Sequence, residues 1–157
     1  MPKIELETFI KSEIEICFDL ARSIDLHLIS TSKTQEKAID GKTSGLIELN
    51  EFVTWEAIHL GVKQRLTSKI TAFERPFHFR DEQLKGIFKS IKHDHYFELM
   101  DDKVLMKDDF NYEAPMGFLG KMVESLFLTN YLRKFLVGRN QMIKEYAESD
   151  RWKEVLK

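Results

Sequence analysis

Between Glu36 and Tyr112 the chain repeats one pattern, an extended segment followed by a turn residue, and that repetition restricts the fold more than any other feature. The segments are roughly Lys37 to Ile39, Leu46 to Leu60, Lys63 to Arg75, Phe77 to Gln83, Phe88 to Met100 and Val104 to Tyr112. The breakers are Gly41, Gly45, Gly61, Pro76, Gly86 and the Asp101-Asp102 pair. Parallel neighbours need a crossover of about a dozen residues or more, so strands joined this closely pair antiparallel. The middle of the chain is therefore expected to be a curved meander.

The flanks differ in period. Residues 3 to 10 read as a first strand, with Ile4, Leu6 and Thr8 on one face and Glu5 and Glu7 on the other. Ser12 followed by Glu15 has capping-box spacing, and Ile14, Cys17, Phe18 and Ala21 then recur at helical steps, which predicts a helix ending near Ser23. Ile24 to Ser32 holds room for a second short helical piece. After Pro115 and Gly117 the pattern is helical to near the C-terminus, but it carries two apolar stripes. Leu119, Met122, Val123 and Leu126 point one way, while Leu128, Leu132, Phe135, Arg139, Met142 and Tyr146 point roughly opposite. One straight helix cannot bury both against one sheet. Either it bends near Phe127 to Thr129 or the first stripe meets a ligand, a covering loop or a second copy in a homodimer.

These elements make an α+β architecture: an antiparallel sheet of about seven strands curved around a long C-terminal helix, with short helices after the first strand. The length of 157 residues suits a single domain spanning 1–157. A sheet that wraps a helix without closing on it tends to leave a cavity. The 12 Phe would give that interior bulky apolar walls with few hydroxyl groups.

Charge and motifs remove several functions from consideration. Lys plus Arg number 24 against 26 Asp plus Glu, a net charge of -2, so nothing draws the whole chain toward phosphate backbones and nucleic acid is not an expected partner. Arg133, Lys134 and Lys144 alternate with acids as on a solvated helix face. The lone Cys17 sits in an apolar helical run and permits no internal disulfide. The start lacks the apolar stretch of a secretion signal, and no segment approaches the ~18 apolar residues of a membrane span. A cytoplasmic protein without integral membrane association is expected. With no phosphate loop, dinucleotide fingerprint or nucleophile elbow, no cofactor is expected and no catalytic residue is assigned.

A longer set of residues carries a resemblance. Val53-Thr54-Trp55 with Ala57 and His59-Leu60-Gly61, Leu66 to Ile70, Arg75-Pro76, Phe79-Arg80-Asp81 and Gly86-Ile87-Phe88 come first. His93 and His95 before Phe97-Glu98, Met106 and Asp108, and Pro115-Met116-Gly117 with Leu119-Gly120 follow. In order and spacing they resemble the START-like, or SRPBCC, superfamily of polyketide cyclases, lipid-transfer domains and birch-pollen-allergen-like proteins, and in particular its bacterial ligand-binding members. That resemblance implies a helix-grip fold with an apolar cavity between sheet and C-terminal helix. It implies no single chemistry.

Strand parity nominates the residues of such a cavity. His93 and His95 leave one face of their strand together with Ile87, Ile91, Phe97 and Leu99. Asp108 lies between Met106 and Phe110, with Tyr112 following, so an inward carboxylate needs a partner from His93, His95 or Arg139. Trp55, Ala57 and His59 share another inward face, and Phe135 is expected to pack centrally under the sheet. Trp55, His59, His93, His95, Asp108, Tyr112, Phe135 and Arg139 are thus the candidate cavity residues. His93 and His95 with His59 or His78 could offer zinc three ligands, but no fourth is visible and no metal is assigned. The function expected first is binding of a hydrophobic or amphipathic small molecule. The alternatives are a cyclase- or dehydratase-like enzyme using His/Asp proton transfer, and a protein-interaction or dimerising module.

Overall fold

Alternation of buried and exposed residues along each extended segment sets the sheet. The computed structural model describes residues 2–114 and 122–156, the latter with side chains from residue 126 onward. Within them the order is β1 (Lys3–Ile10), α1 (Ile14–Ala21), α2 (Ile24–Ser30), a 3-10 turn (Ser32–Thr34), β2 (Lys37–Gly41), β3 (Phe52–His59) and β4 (Val62–Glu74). β5 (His78–Lys85), β6 (Ser90–Met100), β7 (Lys103–Glu113), α3 (Met122–Ala147) and α4 (Trp152–Val155) complete it. The seven strands form one antiparallel sheet in the order β1-β7-β6-β5-β4-β3-β2. This is the expected helix-grip arrangement, a curved seven-stranded sheet around a long C-terminal helix.

Short connections hold the register. Leu60 and Gly61 alone join β3 to β4, and both take positive φ, 54° and 79°, as a two-residue hairpin turn with the twist of its flanking strands requires. Gly41 closes β2 where a Cβ would come 2.2 Å from the Phe52 carbonyl oxygen, so no larger residue fits. Register shifts at Ala38/Asp40, Thr67/Ser68 and Ile70/Ala72 add residues to one strand of a pair and bend the sheet toward the helices.

The concave face is filled in two apolar groups. In the larger, the fully buried Phe18 of α1 meets Phe73, Phe79 and Phe97 edge-on, with ring centroids 5.2 to 5.4 Å apart, and Ile143 and Tyr146 of α3 join the same group. The smaller packs Ile4, Ile91, Phe110 and Tyr112 of the sheet against Leu128 and Leu136 of α3. Cys17 is buried in the larger group, and desolvation pushes its thiol up to about 12.

Several local expectations change. The capping box at Ser12 and Glu15 does not form: α1 starts at Ile14 with Glu13 at the cap and no side-chain bond there, which leaves Ser12 one position too early. The side-chain cap belongs to α2, where Ser23 Oγ accepts from the Leu26 amide at 3.1 Å. Leu46 to Glu51 lie outside β3, and Leu46 makes an isolated bridge to Ser23. Leu99 has inward parity but is exposed, because β6 has by then run past the helices toward its hairpin tip. α3 is one continuous helix over 122–147, with no break near Phe127 to Thr129. Leu128, Arg139 and Tyr146 of its second stripe are buried, and Leu126 of the first is exposed. The side chains of Leu119, Met122 and Val123 lie outside the described residues, as do Pro115, Met116, Gly117 and Gly120. Among the described residues no helix is long and apolar enough to cross a membrane.

Candidate functional site

Because the sheet curves past α3 without packing flush against it, a cavity of about 270 Å³ remains between them and borders both apolar groups. Its floor is laid by inward residues of adjacent strands, among them Val53 and Ala57 of β3 and Leu66 and Ile70 of β4. Leu132, Phe135 and Leu136 of α3 roof it, and the exposed Leu60 and Ile87 mark where it meets solvent. Such a volume, mostly apolar with few polar groups, is the usual form of a small-molecule site.

Polar side chains gather at the β5–β6 wall. Asp81 stands opposite His93 in the β5/β6 ladder, and His95 stands opposite Asp108 in β6/β7, so strand pairing alone brings two carboxylates and two imidazoles together. His93 Nε2 lies 2.7 Å from Asp108 Oδ1, and His95 Nε2 lies 2.7 Å from Asp81 Oδ2. From α3, Asn140 Nδ2 donates to Asp108 Oδ2 at 2.6 Å. Arg139 Nη1 sits 3.7 Å from Asp108 Oδ1 while its guanidinium donates to the Ala21 carbonyl and to Asn140 Oδ1, each at 3.0 Å. The network therefore ties β5, β6 and β7 to α3 and the end of α1.

Burial and neighbours set its charge states. Burial favours a protonated Asp108, but the His93 hydrogen bond and the nearby Arg139 charge more than offset it and hold the carboxyl well below its usual range. Asp81 is likewise held low against burial by its bond from His95. Burial, reinforced by His93, pulls His95 down to about 4 despite the Asp81 bond, so the imidazole is neutral near pH 7. His95 Nδ1 is buried with no hydrogen-bond partner.

A second polar group lies toward the β2–β3 edge. His27 Nε2 of α2 is 2.8 Å from Glu36 Oε1, and the His27 ring lies 4.2 Å from the Trp55 ring. The Glu36 side chain is 7% exposed, and its Oε2 is buried without a hydrogen-bond partner. His59 Nδ1 is 2.7 Å from the Tyr131 hydroxyl of α3, with Phe135 edge-on to its ring at 5.5 Å. Desolvation pulls His59 down and pushes Tyr131 up.

The structure places the expected residues in two sets. Trp55, His59, His93, His95, Phe135 and Arg139 line the cavity. Asp108 and Tyr112 do not: Asp108 stands behind the histidines with 1% of its side chain exposed, and Tyr112 packs in the smaller core with its hydroxyl bonded to Thr129. Parity correctly turned both inward, but depth along the sheet put them behind other side chains. Phe135 is half-buried on the cavity wall and not central under the sheet. Phe135→Ala is therefore expected to cost about 1 to 2 kcal/mol, below the ~3 to 5 kcal/mol of a fully packed Phe, when measured by urea unfolding. Three residues of the site went unnamed as candidates. Asp81 shares inward parity with Phe79, Asn140 lies between Leu136 and Ile143 at helical spacing, and Glu36 carried no local signal because its loop is folded over the cavity by tertiary packing.

Asp81, His93 and His95 each offer a ligand atom within 4.8 Å of the others, the one such group among the described residues. The two rings lie 3.7 Å apart at 30°, and Nε2 of each is within hydrogen-bond distance of a carboxylate, His93 of Asp108 and His95 of Asp81. Asp81, His93, His95 and Asp108 are joined by hydrogen bonds in this arrangement.

No protein-family model matches the sequence, and no curated protein matches it either. Solved structures match the fold over nearly the whole chain. Ginseng major latex-like protein 151 from Panax ginseng is 18% identical over 94% of this chain and 98% of its own, with a TM-score of 0.68. The Zhui aromatase/cyclase from a Streptomyces species is 12% identical over 94% and 93%, with a TM-score of 0.69. A Thermus thermophilus protein, TTHA0849, is 18% identical over 90% and 97%, with a TM-score of 0.67. At these identities the likeness is one of fold.

Proposed function

We propose that this chain, whose fold is the helix grip of START-like proteins, binds a hydrophobic or amphipathic small molecule in the cavity between its sheet and α3. The observation that carries the reading is the cavity of about 270 Å³, whose walls are mostly apolar and carry a limited set of polar side chains. Apolar walls supply affinity, and a few fixed polar groups orient the guest. Neighbours sharing this fold include a major latex-like protein and an aromatase/cyclase, and a fold by itself names no single function.

A second reading, acid–base catalysis, draws on the His95–Asp81 pair, which lines the cavity at 2.7 Å. A general acid or base works best with a pKa near the operating pH. His95 near 4 and an Asp81 held below its ordinary value are both far from neutrality, and the free nitrogen of His95 is sealed in the wall. Binding is the better use of this geometry.

The test uses N-phenylnaphthylamine, an uncharged apolar fluorophore. Saturable enhancement of its emission is expected with the native chain. Ala57 is buried on the cavity floor, and Ala57→Trp is expected to weaken binding at least about tenfold with an unchanged circular dichroism spectrum. Equal binding by a folded Ala57→Trp protein would place the guest elsewhere and end the cavity reading.

A further inference from the structure

The charged groups on the cavity wall are unevenly satisfied. Three arginines reach it, and each lies against a carboxylate that is not part of the wall: Arg22 against Asp19 at 2.9 Å, an acid it shares with Arg75, Arg65 against Glu56 at 3.0 Å, which Lys63 also approaches, and Arg139 against Asp108 at 3.7 Å. Arg22 further donates to the Ile47 carbonyl, as Arg139 does to that of Ala21. The two carboxyl groups that do belong to the wall, Glu36 and Asp81, contact only imidazoles, His27 for the first and His95 with His93 for the second. Neither of these two carboxyl groups forms an ion pair with a guanidinium or an ammonium.

We propose that Glu36 and Asp81 make this cavity selective for apolar molecules bearing a protonated amine and exclude those bearing a carboxylate. The inference rests on the ligand-binding reading and specifies its substrate class. Glu36 supplies one half of the argument, since its side chain is more than nine-tenths buried in the cavity lining, where a charge is poorly screened, with the His27 imidazole as its hydrogen-bond partner. Asp81 is held ionised by its surroundings, with 26% of its side chain accessible on the cavity wall. A guest carboxylate would meet either group as a like charge in a poorly screened interior, with every nearby guanidinium already engaged. An ammonium would meet an opposite charge and acceptor oxygens at the same places. Glu36 immediately precedes β2 and Asp81 lies on β5, with β3 and β4, the latter carrying Leu66 and Ile70, between those strands. A guest is therefore held by an apolar body and an amino group at one end.

Naphthylmethylamine, naphthylmethanol and naphthoate share one aromatic body and differ in charge, so calorimetric titration of the native chain with each separates the terms. The amine is expected to bind at least about tenfold more tightly than naphthoate, with the alcohol between them. Glu36→Gln and Asp81→Asn are each expected to narrow that ratio, and the double variant to bring it within about threefold while the alcohol's affinity changes little. Should one variant fail to fold, the other still reads the ratio. Naphthoate binding as tightly as the amine would overturn the charge selectivity and leave ligand binding standing. Binding of none of the three, together with no response to N-phenylnaphthylamine, would overturn the cavity reading and the selectivity with it.

Discussion

Asp108→Asn is expected to destabilise the protein by about 3 to 5 kcal/mol, the usual result of removing one partner from a buried charged network. Both carboxylate oxygens are engaged as acceptors, from His93 and from Asn140, and the Arg139 guanidinium lies against the same group. An amide can accept through only one of its two ends, so a donor is left facing a donor, and a buried guanidinium loses its counter-charge. Because Asp108 stands behind the histidines and not on the cavity wall, the protein that remains folded should bind N-phenylnaphthylamine within about twofold of the native chain. Adding Asn140→Asp, which reverses the amide–carboxylate pair, should recover part of the loss. Urea unfolding of the native chain and these two variants checks this. A loss under about 1 kcal/mol accompanied by weakened binding would make Asp108 a ligand anchor instead of a structural one.

Acidification should weaken the fold well before carboxylates titrate. His95 has an ordinary value of 6.5 and is pulled by burial to about 4. Between those two values the unfolded chain takes up a proton that the folded chain refuses, so the stabilisation is complete above about pH 6.5 and is lost as pH falls through about 4. The full difference corresponds to on the order of 3 kcal/mol. His59, also pulled down by burial, loses stability in the same direction, and Asp108 and Asp81, held low, add their losses only below the ordinary carboxylate range. Urea midpoints at about pH 7.5 and about pH 4.5 should therefore differ strongly, and His95→Gln should flatten that dependence. A native protein equally stable at both would show that His95 is solvated or already charged.

The strand meander and the terminal helix were legible because they rest on local chemistry. Alternation along β6 and β7 turned His93, His95 and Asp108 inward, helical spacing put Arg139 and Tyr146 on one face of α3, and the Leu60-Gly61 turn forced an antiparallel pair. Each of these follows from a backbone period or a turn geometry that a few neighbouring residues establish. Parity says which face a side chain takes and nothing of how deep it lies, so it assigns Tyr112 and Asp108 to the cavity although other side chains stand in front of them. Partner choice was equally hidden. Asp81 meets His95, Asn140 meets Asp108 and Glu36 meets His27 only because the ladder register, the seating of α3 and the packing of the β2 loop bring distant positions to 2.6 to 2.8 Å. The sequence by itself determined the seven strands, the long helix and the inward histidines. The cavity, the burial that neutralises His95 and the carboxylates left without an arginine were decided by the tertiary structure, since desolvation and charge pairing depend on distances between residues that local periodicity cannot set.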